Sequence, residues 1–234
     1  MPHLLRRLHI TRSRPRHAFS IHEKPAMDPA FLITAFVTLF VIIDPIGMTP
    51  LFVALTQGMT AHRRRAIAFR ACITSVLILT LFAAFGEAVL GFVGISMPAF
   101  RIAGGILLFL TALDMLFERR TKRRQTRVEE EEEDDSDDPS IFPLAIPLIA
   151  GPGSIASVIL LTGQQPGLAG LAWVVGVMVV VIALVLILFL AAGLLERALG
   201  RTGIIVVTRL LGMLLAALAV QFVLDGLRGF GIAA

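Results

Sequence analysis

The chain has 234 residues, 56% of them hydrophobic and 16% charged, with a formal net charge of +4. Soluble domains carry roughly 25% charged and roughly 45–50% apolar residues, so this composition demands a solvent other than water. The run 141–195 contains no Asp, Glu, Lys or Arg. Apolar runs above ~18 residues read as membrane spans, so the chain is a polytopic membrane protein whose partner is the lipid bilayer.

Several function classes drop out with the composition. His3, His9, His17, His22 and His62 all lie before residue 63 and outside the apolar segments, which removes a histidine-held metal or a histidine proton relay inside the membrane. The single cysteine, Cys72, permits no intrachain disulfide and no cysteine cluster. No G-x-x-x-x-G-K-[ST] loop is present, so that route to ATP is closed. No cofactor or metal site is expected. The isoelectric point near 10.5 reflects arginine-rich loops and a basic N-terminus, as membrane topology demands, and not nucleic acid.

In chain order, residues 1–26 form a basic arm holding Arg6, Arg7, Arg12, Arg14, Arg16 and Lys24 without the apolar core of a signal peptide. Six spans follow, near 29–58, 66–90, 99–117, 141–163, 168–195 and 203–227, and lipid makes helices of all of them. Gly163-Gln164-Gln165-Pro166-Gly167 supplies the turn between the fourth and fifth. Residues 118–140 are different in kind. Arg119, Arg120, Lys122, Arg123, Arg124 and Arg127 precede the acidic run 129–138, and such blocks of like charge read as a disordered, solvated linker.

The segments on either side of that linker, 27–117 and 141–234, resemble each other. Glu87-x-x-Leu90-Gly91-x-x-Gly94 recurs as Glu196-x-x-Leu199-Gly200-x-x-Gly203, and Arg101-x-x-Gly104 recurs as Arg209-x-x-Gly212, at almost one offset. Pro45 and Pro152 interrupt the first span of each half in the same way. Three spans per unit force the second copy to enter the membrane from the opposite side, which makes an inverted-topology repeat. The loops after spans 1, 3 and 5 carry Arg63, Arg64, Arg65 and Arg70, then the linker cations, then Arg197 and Arg201. The positive-inside rule puts them in the cytoplasm and both termini outside. The basic arm opposes this, and two readings meet the conflict: translation starting at Met27, or an arm kept in the cytoplasm with the orientation reversed.

Two stretches carry the candidate chemistry. In span 1, Asp44-Pro45-Ile46-Gly47-Met48-Thr49-Pro50 combines a charge with two residues that remove backbone donors and one that leaves helical geometry easily. A charged Asp at the bilayer centre costs at least ~2.5 kcal/mol, so it should face protein or water. In span 4, Pro143 to Ser154 holds Pro143, Pro147, Gly151, Pro152 and Gly153. Paired broken helices are the best pointer from sequence to a transport site, with Asp44, Thr49, Ser154 and Ser157 offering side-chain oxygens beside freed backbone; simple proline kinks shaping the packing are the plainer reading. Arg101 and Arg209, each just inside the last span of its half, either snorkel to the interface or pair with an acid or with carbonyls freed by the breaks. Asp114, Asp225, Glu87 and Glu196 read as interfacial, and Gln221 as a buried group bonding between helices.

At these residues the sequence resembles the MarC family of bacterial integral membrane proteins. The resemblance runs from about Met27 to Gly229. It rests on Asp44-Pro45-Ile46-Gly47 with Pro50-Leu51-Phe52, Gly94 to Pro98 with Arg101 to Gly105, Pro143 to Pro147 with Ala150 to Gly153, and Arg209 to Gly212 with Val220-Gln221-Phe222. It implies six spans and a grouping with lysine-exporter-like membrane proteins, hence solute transport, but no particular substrate.

The combined expectation is an all-α membrane protein of the bacterial cytoplasmic (inner) membrane. It is a secondary transporter or exporter of a small solute or ion and not an enzyme, and a homo-oligomer is compatible with it. The alternatives are a passive channel, or a non-transporting scaffold acting through the charged linker.

Overall fold

A computed structural model describes residues 28–119, 123, 124, 126 and 138–232. The basic arm, Met27 and the acidic residues 129–137 lie outside the described residues. Among those described there are helices, turns and one irregular coil, and no strands. An apolar chain in lipid must satisfy its backbone within each segment, and helices do so.

Helix α1 (Pro29–Ile43) starts where the Asp28 carboxylate accepts from the Ala30 N–H at 2.9 Å, with Pro29 in a first turn that needs no donor. It stops at Asp44, whose backbone is left-handed (φ 59°, ψ 63°), and α2 (Pro45–Leu55) begins at once. The interruption is therefore one residue long. Gly47 and Pro50, expected to help break the helix, lie inside α2, and the stretch Pro29–Leu55 still has the length and apolarity of one crossing.

Helix α3 (Ala61–Val93) is capped by Thr60 and ends at Gly94, whose positive φ of +83° suits glycine. Its 33 residues make a rod of about 50 Å, longer than a hydrocarbon core of about 30 Å, so the turns bearing Arg63, Arg64 and Arg65 project beyond it. Helix α4 (Met97–Leu116) is capped by Ser96. The segment Ser140–Ile149 is a wide, irregular coil with cis peptide bonds before Pro143 and Pro147 and extended backbone at Phe142 and Ile146. It meets α5 (Pro152–Thr162) at a bend of 55°. Helices α6 (Leu168–Leu190) and α7 (Ala192–Gly229) complete the chain, α7 being interrupted at Gly200 (φ 59°, ψ 176°). Among the described residues, five stretches are long and apolar enough to cross a membrane, and the bent pair adds a sixth if it crosses as one unit.

Small residues fix the packing. A Cβ on Gly105 would come 2.8 Å from the Ala219 carbonyl oxygen, and one on Gly226 would come 2.9 Å from that of Pro98. Glycine thus lets the backbones of α4 and α7 approach, where lipid supplies no hydrophobic drive for helices to associate. The same two helices join at their other end through an Arg209–Glu118 ion pair, so they run antiparallel. Gly163 at the end of α5 abuts Met97 at the start of α4, while Gly153 touches Leu108; α5 is antiparallel to α4 as well. Leu32, Ile33 and Phe36 of α1 share an apolar groove with Trp173, Gly176 and Val180 of α6. The start of α1 therefore lies at the end of the bundle that holds Met97 and Gly163. Bulky residues such as Phe85, Phe92 and Leu168 stand exposed, as side chains turned to lipid do.

Candidate functional site

Asp44 is 2% exposed. Its left-handed backbone ends α1 and frees the amide of Gly47, which donates to Asp44 Oδ1 at 3.0 Å and makes the carboxylate the cap of α2. A negative charge is favoured at a helix N-terminus and disfavoured at a C-terminus. Here the Asp sits at both, with its side chain turned to the favourable one. Gly47 is required by that contact, because a Cβ there would lie 2.2 Å from Asp44 Oδ2. Thr49 is buried but spends its hydroxyl on the Pro45 carbonyl (3.0 Å), within its own helix.

The other oxygen of Asp44 faces a residue that sequence reading missed. Arg124, only 7% exposed, places Nη1 3.5 Å from Asp44 Oδ2 and donates from Nη2 to the Ile43 carbonyl at 3.4 Å. The amide of Gly47, which a continuous helix would aim at Ile43, is engaged by the Asp44 side chain. The break thus creates a two-acceptor notch, and a planar guanidinium spans it. Its neighbour Arg123 pairs with Asp114 on α4.

At the second break, the Ala150 amide reaches back to the Ala145 carbonyl at 2.8 Å. Gly151 passes so close to Pro147 that a Cβ would lie 2.4 Å from its carbonyl oxygen. Pro147, Gly151, Pro152, Gly153 and Ser154 line a cavity of about 190 Å³ together with Ile42 of α1, Leu107 and Thr111 of α4, and Arg123 and Arg124. Arg124 therefore touches both the cavity and the first break. Gly153 packs on Ile42, where a Cβ would lie 2.8 Å from Cδ1. One turn from that contact on each helix stand Thr38 and Ser157, both fully buried, whose hydroxyls have no hydrogen-bond partner among the described residues.

Two sequence candidates lie elsewhere. Arg101 donates from Nη2 to the Gly163 carbonyl at 3.3 Å and so closes the end of α5, far along that helix from its break. Arg209 pairs with the partly exposed Glu118. Gln221, expected to be buried and to bond between helices, is exposed and donates to Asp225 on its own helix at 2.9 Å; the i,i+4 acid was the nearer partner. Among the described residues no group of three or more His, Cys, Asp or Glu is placed to hold a metal ion.

The residues that build both interruptions fall within the span of a known family profile. The profile described as MarC family integral membrane protein covers residues 30–230. The chain belongs to the MarC family. This MarC-family chain is 36% identical to a UPF0056 membrane protein of Methanocaldococcus jannaschii over 203 residues, covering 87% of this chain and 98% of the relative. It is 38% identical to the UPF0056 membrane protein YvbG of Bacillus subtilis, over 86% of this chain and 95% of that one. The Escherichia coli relative, the UPF0056 inner membrane protein YhgN, is 36% identical over 84% of this chain and 96% of its own length. No solved structure matches the chain.

Proposed function

We propose that this MarC-family protein is a secondary transporter or exporter of a small solute or ion, and not a catalyst, working in the bacterial cytoplasmic membrane by alternating access. The observation that carries this reading is the cavity of about 190 Å³ bounded by the second break and reached, through Arg124, by the buried Asp44 of the first. A buried ionisable group inside the membrane-spanning body is expensive and serves as a functional marker. Irregular backbone at membrane depth survives where it is packed in protein or lines a cavity, and both conditions are met here.

Six crossings arranged as two inverted three-helix units complete the proposal, with both termini outside. Its support is that each half starts with an interrupted segment followed by two long helices. In addition, the repeated Arg101 and Arg209 motifs sit on antiparallel α4 and α7, near opposite ends of the pair. Arg70, Arg123 and Arg209, paired with Asp138, Asp114 and Glu118, lie toward the end opposite Met97 and Gly163, as the positive-inside rule asks of a cytoplasmic face. The inner-membrane name of the Escherichia coli relative agrees with that location.

Solute profiling of a deletion strain, followed by flux into liposomes bearing the purified protein, tests the proposal. A carrier shows accelerated exchange when solute is present on both sides, whereas a pore does not. Protein that moves none of the profiled solutes, while the deletion strain accumulates none, would overturn transport in favour of a scaffold.

A further inference from the structure

We infer that the start of α5 is a binding site for the carboxylate end of a small organic anion, held where the first half of the chain holds its own Asp44. This deepens the transporter reading above, on which it rests, by naming the solute's chemistry. The helices that follow the two breaks open alike, with Asp44-Pro45-Ile46-Gly47 at α2 and Gly151-Pro152-Gly153-Ser154 at α5. In α2 the amide of Gly47, third in the helix, donates to the Asp44 carboxylate at 3.0 Å. The amide at the same place in α5 belongs to Ser154. No side chain caps α5, and the cap position leaves no room for one, since a Cβ on Gly151 would lie 2.4 Å from the Pro147 carbonyl oxygen. First-turn amides have no acceptor within their own helix, and the helix dipole makes that end attractive to an anion.

The Ser154 side chain points to a ligand independently. Ser154 is 3% exposed and lines the cavity of about 190 Å³, and its hydroxyl makes no hydrogen bond to a described residue. Thr111, which also lines the cavity, spends its hydroxyl on the Leu107 carbonyl at 2.9 Å. A carboxylate set against the amide and hydroxyl of Ser154 would satisfy two donors at once. Among the described residues that line the cavity, Arg123 and Arg124 are cationic and none is acidic. Both keep their acidic partners, Asp114 and Asp44, so neither side chain has to move for an anion to enter. Ile42, Leu107 and Leu148 supply an apolar wall, which suits a short aliphatic chain behind the carboxylate better than a fully hydrated inorganic anion.

The test uses the full chain in detergent micelles, with propionate as probe and propionamide, its uncharged isostere, as control. Calorimetry should show saturable binding of propionate to the parent chain and none of propionamide. Ser154→Ala removes one donor to a charged group and should weaken propionate by about tenfold. Ser154→Asp sets a carboxylate at the start of α5, where negative charge is favoured. It should abolish propionate binding while the melting temperature holds or rises, a split that a merely structural serine would not give. Should Ser154→Asp fold poorly, the Ser154→Ala loss and the propionamide control decide the matter. No propionate binding by the parent overturns the inference, as does equal affinity in the parent and the Ser154 variants, or binding of propionamide. Chloride or sulfate that binds more tightly than propionate gives the site to inorganic anions and overturns it as well. So does binding that appears only when residues 129–137 are deleted, which would give the site to the chain's own acids. Failure of the two readings can be told apart: flux of a solute that propionate does not compete with sinks the carboxylate site alone. Propionate binding as described, without flux of any carboxylate, sinks transport alone.

Discussion

Asp44 carries three jobs at once: it ends one helix, caps the next and supplies the buried charge. Each has a distinct mutational signature. Asp44→Asn keeps the shape and an acceptor for the Gly47 amide but removes the charge facing Arg124, and losing one charge of a buried ion pair destabilises. A thermal melt should show that loss, and Arg124→Met, which removes the cation from the Asn variant, should restore part of it. Gly47→Ala places a methyl 2.2 Å from Asp44 Oδ2, and overpacking of this kind costs about 1–3 kcal/mol. The same melt measures it, and the carboxylate, pushed off its cap, should also lose function. Thr38 and Ser157 behave oppositely. Their buried hydroxyls lack partners among the described residues, so Ser157→Ala and Thr38→Val should leave stability within about 0.5 kcal/mol or raise it. A fall in flux without a fall in melting temperature would assign those hydroxyls to the solute. Asp44 and Gly47 were legible in the sequence because a charge stands out in an apolar run. Arg124 was not: it lies in a block of like charges whose composition reads as solvated, and only the three-dimensional path brings it back to the break.

At the scale of elements, proline and glycine marked where both interruptions fall but not their form. Asp44 takes a left-handed turn in a single residue, whereas Ser140–Ile149 abandons the α-helix for a full ten residues. The difference follows from spacing. Pro45 opens α2, where no donor is needed, and Pro50 removes only one later bond, while Pro143 and Pro147 sit one turn apart and forbid a continuous ladder. Arginines at element ends also divide by environment. Arg101 bonds the carbonyl of Gly163, the cap of α5, from a half-buried position with its Nε unpartnered among the described residues, whereas the Arg209–Glu118 pair has side chains 51% and 35% exposed. Arg101→Met should therefore lower the melting temperature more than Arg209→Met, since exposed pairs contribute only about 0–1 kcal/mol. The start of the irregular coil carries a pH dependence. Burial pushes the Asp138 carboxyl up, but the neighbouring Ser140, whose amide donates to it, and Arg70 outweigh it and hold the carboxyl below its usual range. A carboxylate depressed on folding contributes stability above its unfolded pKa and loses it as pH falls through the folded value. Acidification below the ordinary carboxylate range should loosen the 138–149 region, by at most about 1 kcal/mol for a pair this exposed. Asp138→Asn should flatten that part of the melting profile.

For the whole molecule, composition alone required a helical membrane protein; five of the apolar segments read from the sequence fall on stretches long enough to cross, and the fourth falls on the bent pair Ser140–Ile149 and Pro152–Thr162. What it could not supply was the pairing of the helices. That depends on contacts such as Gly105 with Ala219 and Gly153 with Ile42, between residues distant in the chain. The repeated Glu87 and Arg101 motifs suggested two halves of opposite sense; α4 and α7, which carry Arg101 and Arg209, pack antiparallel. Cysteine-labelling from either side of the membrane would test that sense: Cys at positions 95 and 165 should react from outside, and Cys at 58 from the cytoplasm. The most direct measurement of the Asp44 site is solute exchange in liposomes by parent and Asp44→Asn proteins reconstituted at equal density. Exchange that is fast in the parent and reduced to the protein-free rate in the variant is the outcome expected. Equal exchange by the two proteins would remove Asp44, and the cavity beside it, from the path of the solute.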